Sequence, residues 1–125
     1  MPQASARILI AEDEAAVAQQ IINRFTLLGH DVRWVRAVRE VRAELKVFEP
    51  DVLILDTTLD TDGLELFQAI RFAPNHPRAG VVILTAQGDV GVRERAQQLG
   101  AAAVMMKPVR NDELVEIVED LLTYV

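Results

Sequence analysis

Apolar residues fall along this chain in two rhythms. Four short runs are uninterrupted: Arg7–Ala11 (RILIA), Val52–Asp56 (VLILD), Val81–Thr85 (VVILT) and Ala103–Met106 (AVMM). They are rich in β-branched residues and do not alternate, the pattern of strands buried on both faces of a parallel sheet. A fifth segment, Asp31–Val35 (DVRWV), alternates and so predicts a half-exposed edge strand. Between the strands the apolar spacing becomes helical. Val17, Ile21, Phe25 and Leu28 mark one face of a first helix, and Val38, Val41, Leu45 and Phe48 that of a second. Leu114, Ile117, Val118 and Leu121 mark the last. Gly29, Pro50, Gly63, Gly80, Gly100 and Pro108 punctuate the gaps, where helix ends and turns need them. The pattern predicts β-α-β-α-β-α-β-α-β-α, with helices near 14–28, 38–48, 63–72, 90–99 and 111–124. Strict alternation implies an α/β fold: a parallel sheet with helices on both faces, joined by right-handed crossovers.

Composition narrows the picture. The 125 residues fit one domain, and no linker, repeat or low-complexity segment divides them. The expected organisation is an N-terminal tail over 1–6 followed by a single domain over 7–125. Half the residues are hydrophobic and 26% are charged, as in an ordinary globule. With no cysteine, disulfides, thiolate metal sites and cysteine nucleophiles are excluded. The longest unbroken apolar run, Ala101–Met106, is far short of the roughly 20 residues a membrane span needs. The start, Met-Pro-Gln-Ala-Ser-Ala-Arg, has no apolar signal core, so a cytoplasmic location without membrane contact is expected. Nineteen acids against 13 bases give a net charge of −6, which argues against direct nucleic-acid binding. Glu113, Glu116, Glu119 and Asp120 make the last helix acidic on one side, with the same implication. Arg33, Arg36, Arg39 and Arg42 read as a solvated face.

In an open doubly wound sheet, ligands bind outside the carboxyl ends of the strands. The polar residues at those ends are Glu12, Asp13 and Glu14 after the first strand, Asp56, Thr85, and Lys107 with Pro108. They share one edge although they are up to 95 residues apart in sequence. The first loop reads Ala-Glu-Asp-Glu, without the glycine-rich turn of a dinucleotide fold or the Gly-Lys-Ser/Thr of a P-loop. Carboxylates repel phosphate and bind hard cations such as Mg²⁺. Gathered without a counter-charge they would disfavour each other's ionised forms, a repulsion that Mg²⁺ and Lys107 would relieve. Asp56 then reads as an exposed-edge carboxylate beside a metal and an ammonium, a setting in which aspartate accepts a phosphoryl group. Metal, lysine and a hydroxyl donor suffice for phosphoryl transfer, which is mostly positioning and charge neutralisation.

The segments RILIAEDE, DVLILD, VVILTA and GAAAVMMKP, in that order, make the chain resemble the receiver domain of bacterial two-component response regulators from Arg7 to about Tyr124. The resemblance implies a three-layer, flavodoxin-like (βα)5 fold with strand order 2-1-3-4-5. It implies that Asp56 accepts a phosphoryl group from the phosphohistidine of a histidine kinase or histidine phosphotransfer protein. Asp13 and Asp56 would ligate Mg²⁺, or Mn²⁺ in its place, with Glu12 acting through water and the backbone carbonyl of Thr58 completing the protein ligands. Thr85 would hydrogen-bond the phosphoryl oxygen, Lys107 would pair with it, and the Lys107–Pro108 bond would be cis. Thr58 and Gln87 would flank the site where hydrolysis is tuned. Such a domain is a switch with Mg²⁺-dependent self-phosphorylation and autodephosphorylation, not a turnover enzyme, and it signals to a downstream effector or fused output domain. Kinases would dock on the exposed side of helix one and the loop after strand five, with Ala18 and Ile22 as candidates for that face.

Four departures stand out. The family's switch aromatic corresponds to Val104, and the acidic pair before it to Ala102-Ala103. Asp60 replaces the usual proline, and Gly63 lies seven residues past Asp56 rather than eight. These features motivate an alternative, a phosphorylation-independent protein-binding scaffold on the same fold. A metal-dependent hydrolase would need a further acid–base group, which Asp60 or Asp62 would supply by folding back. Each site residue also has a plainer reading. Asp13 or Asp56 would cap a helix, Thr85 would be a β-branched strand residue, and Lys107 a solvated cation. Glu14 reads as a first-turn acid, Met105 and Met106 as core filler and rim, and Trp34 as packing on the edge strand. His30 and His76 sit in polar turns and read as solvated.

Overall fold

The structure, a computed structural model, describes residues 5–59, 63–72, 79–86 and 90–123. Strands β1 (Arg7–Ala11), β2 (Asp31–Val35), β3 (Val52–Asp56), β4 (Gly80–Thr85) and β5 (Ala103–Met106) alternate with helices α1 (Ala15–Leu27), α2 (Val38–Val47), α3 (Gly63–Arg71), α4 (Val90–Gln98) and α5 (Asn111–Thr123). All paired strands are parallel, in the order β2-β1-β3-β4-β5. This is the doubly wound, flavodoxin-like α/β fold that the strand runs and the resemblance imply.

The uninterrupted runs of β1, β3 and β4 are explained by two cores, one on each face of the sheet. The run of β5, expected to be covered on both faces, instead forms the second edge of the sheet, where only Met105 is buried and Met106 is exposed. Ile8, Ile10, Ile54, Val82 and Leu84 point to one face, where Ile21 and Phe25 of α1 and Leu114 and Val118 of α5 cover them. Leu9, Ala11, Leu53, Leu55 and Ile83 point to the other, beneath Val41 of α2, Phe67 of α3 and Ala96 of α4. Successive residues serve opposite faces, so a strand covered on both sides must be apolar throughout. Each fully buried Leu, Ile or Phe contributes about 1.5–3 kcal/mol. β2 lies at the edge and is only partly covered, which is why its sequence alternates. Ala11 pairs with both Val35 and Leu55, Asp56 with Leu84, and Thr85 with Met106, so all five strand ends come level at one edge, each to within a residue of its neighbour. The switch in strand order lies between β1 and β3, and the loops leaving those two strands carry the acids there.

Three further expectations are corrected. Leu28 is 51% exposed. It lies beyond the last turn of α1, where its N–H bonds the Phe25 carbonyl and Gly29, at φ 89°, turns the chain away. Ala18 is fully buried, because it shares the inward stripe of Ile21 and Phe25, and Ile22 is half-buried against the same core. His30 is not solvated: its side chain is 2% exposed. Its Nδ1 accepts from the Ala6 N–H at 3.1 Å, so the proton sits on Nε2, which donates to Glu119 Oε1 at 2.7 Å. His30 itself is tucked under α5, while Leu28 and Gly29 before it face water. His76, Asp60, Asp62 and Gln87 lie outside the described residues.

Candidate active site

The carboxyl edge gathers the predicted residues around one ammonium group. Lys107 follows β5, and its backbone N–H donates to the Thr85 carbonyl at 2.9 Å, which levels it with the end of β4. The Lys107–Pro108 bond is cis, as expected. From there Lys107 Nζ reaches Asp56 Oδ2 at 2.8 Å, Glu12 Oε1 at 3.1 Å and Glu14 Oε1 at 3.5 Å. Glu14 is the N-cap residue of α1 without a side-chain cap bond, so its carboxylate faces the lysine rather than the helix. Asp13 is exposed, yet it offers an oxygen within 4.8 Å of oxygens from Glu12 and Asp56.

Asp56 is fully buried, which corrects its reading as an exposed-edge group. Its Oδ1 accepts the Thr58 N–H at 2.9 Å and the Thr58 hydroxyl at 2.8 Å, so the loop after β3 folds over it while Lys107 covers the other oxygen. Thr57 anchors that loop by donating its N–H to the Leu84 carbonyl at 3.0 Å. α3 starts close behind. A Cβ on Gly63 would meet the Thr57 Cα at 2.9 Å and the Asp56 carbonyl oxygen at 3.0 Å. Glycine is required here by close backbone approach, which the spacing alone did not reveal.

Electrostatics divide the two buried acids. Burial pushes Asp56 up, but the bonds from Lys107 and from Thr58 outweigh it and hold the carboxyl below its usual range. Glu12 is pushed up to about 7, chiefly by desolvation and also by the Asp56 charge, against a lowering bond from the Glu14 N–H. Desolvation would lower Lys107, but Asp56 and Glu12 reverse it and hold the ammonium above its ordinary value. Asp56 is therefore the ionised carboxylate of the pair and Lys107 its permanent cation.

Two buried oxygens have no hydrogen-bond partner among the described residues, Glu12 Oε2 and Thr85 Oγ1. Leaving such groups unpaired costs about 1–3 kcal/mol each, so both call for an explanation. An orphaned carboxylate oxygen within a three-acid cluster fits a hard cation with its waters. Sequence reasoning found Glu12, Asp13, Asp56, Thr58, Thr85 and Lys107. It took Glu14 for a first-turn acid, passed over Thr57, and gave only a packing role to Trp34, whose Nε1–H donates to the Glu12 carbonyl at 2.7 Å. Its place directly before the last buried residue of the edge strand was the available signal.

A level parallel-sheet edge with a buried aspartate under a lysine is the arrangement that the resemblance implies for a receiver domain. The sequence model described as response regulator receiver domain matches residues 8–119. The chain belongs to that family. Over 119 residues it is 32% identical to the phosphate regulon transcriptional regulatory protein PhoB of Rhizobium meliloti, covering 93% of this chain and 52% of that protein. Over 115 residues it is 30% identical to a Rhizobium etli protein named "probable chemotaxis protein CheY", covering 90% of this chain and 89% of that one. The chain thus spans about half the length of PhoB and most of the length of the CheY relative. Among solved structures, the receiver domain of the TMAO respiratory system response regulator TorR superposes with a TM-score of 0.88 at 28% identity, covering 96% of this chain and 98% of that one. The signal receiver domain of a Syntrophus aciditrophicus signal transduction histidine kinase gives 0.86, also at 28% identity, over 97% and 92%. Among the described residues no helix is long and apolar enough to cross a membrane.

Proposed function

We propose that this receiver domain accepts a phosphoryl group on Asp56 from the phosphohistidine of a histidine kinase or histidine phosphotransfer protein, in a reaction that needs a divalent cation. The observation that carries the reading is the state of Asp56: buried, ionised and bonded to Lys107, beside acids that have an oxygen to spare. The Asp56 carboxylate attacks phosphorus, an Asp56 O–P bond forms, and the P–N bond to the donor imidazole breaks. Lys107 is already on the acceptor and shifts its ammonium to the transferred group. The Thr85 hydroxyl, without a partner among the described residues, would donate to a phosphoryl oxygen. Thr58 holds the second carboxylate oxygen from both its N–H and its hydroxyl, which keeps Asp56 aimed outward. Asp13, Asp56 and the Thr58 carbonyl would hold Mg²⁺ or Mn²⁺, with Glu12 through water. The ion would neutralise charge building on the equatorial oxygens. Hydrolysis of the acyl phosphate returns the resting state, so the domain acts as a switch and not as a turnover enzyme. The signal then passes to a downstream effector or fused output domain, from a domain over 7–125 working in the cytoplasm without contacting nucleic acid or membrane itself.

Val104 is aliphatic and packs against the α2–α4 core, so no ring can rotate at that position to report on Thr85. A scaffold that works without phosphorylation is the reading this favours if Asp56 proves inert. Intact mass after incubation with Mg²⁺ and acetyl phosphate decides. One added phosphoryl group is expected, absent with chelator and in Asp56→Asn. No addition, and no adduct with an acyl-phosphate mimic, would leave the scaffold.

A further inference from the structure

Edge strand β2 and Arg36, the residue after it, grip the acid-bearing loop at three points. The β1–β2 ladder runs one step beyond the strand, with the Glu12 N–H donating to the Val35 carbonyl at 3.1 Å. Trp34 Nε1–H donates to the Glu12 carbonyl at 2.7 Å. Arg36 Nη2 donates to the Asp13 carbonyl at 3.3 Å, while its guanidinium lies 4.8 Å from the centre of the Trp34 ring. Because each peptide unit is planar, these bonds orient the three planes that flank the α-carbons of Glu12 and Asp13. Fixing both flanking planes fixes the direction of each Cα–Cβ bond. The loop therefore presents two carboxylates on a frame set from β2.

We propose that Trp34, seated by Arg36, is a positioning residue that aims the Glu12 and Asp13 carboxylates at the shared cation site. The proposal rests on the reading that this cluster takes a divalent cation. If Trp34 merely packed on the edge strand, its ring would serve and its N–H would not. Partners standing behind metal-binding groups typically carry about 10- to 100-fold in metal affinity. The indole bond lies at the backbone rather than on a ligating carboxylate, so the lower end applies.

The test uses Mg²⁺ alone, without phosphodonor, titrated against melting temperature in the full chain. Trp34→Phe keeps the ring and deletes the donor. It is expected to raise the Mg²⁺ concentration for half the thermal gain by about tenfold, with the full gain recovered at higher Mg²⁺. Arg36→Met, at an exposed position, is expected to shift the titration the same way by less, and it carries the test should Trp34→Phe not fold. Trp34 is the sole tryptophan, so indole emission in the parent reports on this loop, and Mg²⁺ is expected to change it. Titration of Trp34→Phe like the parent, or an emission that stays constant while the melting temperature responds, overturns the positioning role. Asp13→Asn separates the two failures. If it too responds to Mg²⁺ as the parent does, the cation site itself is wrong.

Discussion

The two ends of the sheet bury polar groups in opposite ways. At the amino end His30 is enclosed beneath α5, and both ring nitrogens are used, by the Ala6 N–H and by Glu119. At the carboxyl end Glu12 and Thr85 are buried just as deeply, yet each keeps an oxygen without a partner among the described residues. A buried polar group with complete partners ties the fold together. One with an open valence costs stability and is retained for something that arrives later. Burial alone does not separate structure from function; the hydrogen-bond account does.

That contrast can be broken most decisively at Asp56. Asp56→Asn should abolish the mass increment entirely while the protein stays folded, since the amide oxygen still accepts from Thr58, although the amide nitrogen in place of Oδ2 loses the bond from Lys107. A variant that still gains a phosphoryl group would place the acceptor elsewhere. At the amino end, His30→Ala leaves the Ala6 N–H and the Glu119 carboxylate without their partner, which should cost about 2–3 kcal/mol. For a chain of this size, urea unfolding would show that loss while the extent of phosphorylation at saturating donor stays unchanged. A drop in phosphorylation without a drop in stability would reverse the assignment of the two ends. Mg²⁺ should stabilise only through the carboxyl end, by about 2.7 kcal/mol at a hundred times its dissociation constant. Asp13→Asn should remove most of that gain, and His30→Ala should keep it, as thermal melts with and without chelator would reveal.

The smallest effect sharpens the comparison most. Thr85→Val replaces an unpartnered buried hydroxyl with a methyl of similar shape, and should stabilise the fold by about 1 kcal/mol. The same change should slow phosphorylation by acetyl phosphate. Stability rising as function falls is the signature of a group held for chemistry. A destabilised Thr85→Val would mean that the hydroxyl has a structural partner after all.

Much of this was legible in the chain. The runs at 7–11, 52–56 and 81–85 declare strands covered on both faces, and DVRWV declares the edge. Reading which polar residues end each strand brought Glu12, Asp13, Asp56, Thr85 and Lys107 together across 95 residues. The misreadings share a cause. His30 follows a helix in a polar stretch, and only the position of Glu119, 89 residues later, makes it a buried anchor. Ala18 is too small to show which way it faces, and Leu28 keeps the helical spacing one residue after the helix has ended. Gly63 read as a helix-start residue, whereas its need is the backbone lying 2.9 Å from where a Cβ would stand.

Periodicity and strand-end chemistry belong to the chain, because which side of a strand or helix a residue occupies is local geometry. They determined the element order, the two-faced core, and the residues at the carboxyl edge. Which oxygens would be satisfied there was decided by the tertiary structure. A hydrogen bond depends on ångström distances between segments far apart in sequence, as when Lys107 settles on Asp56 and Trp34 closes on the Glu12 carbonyl. The same packing leaves Glu12 Oε2 and Thr85 Oγ1 without a partner among the described residues, and no spacing along the chain encodes that.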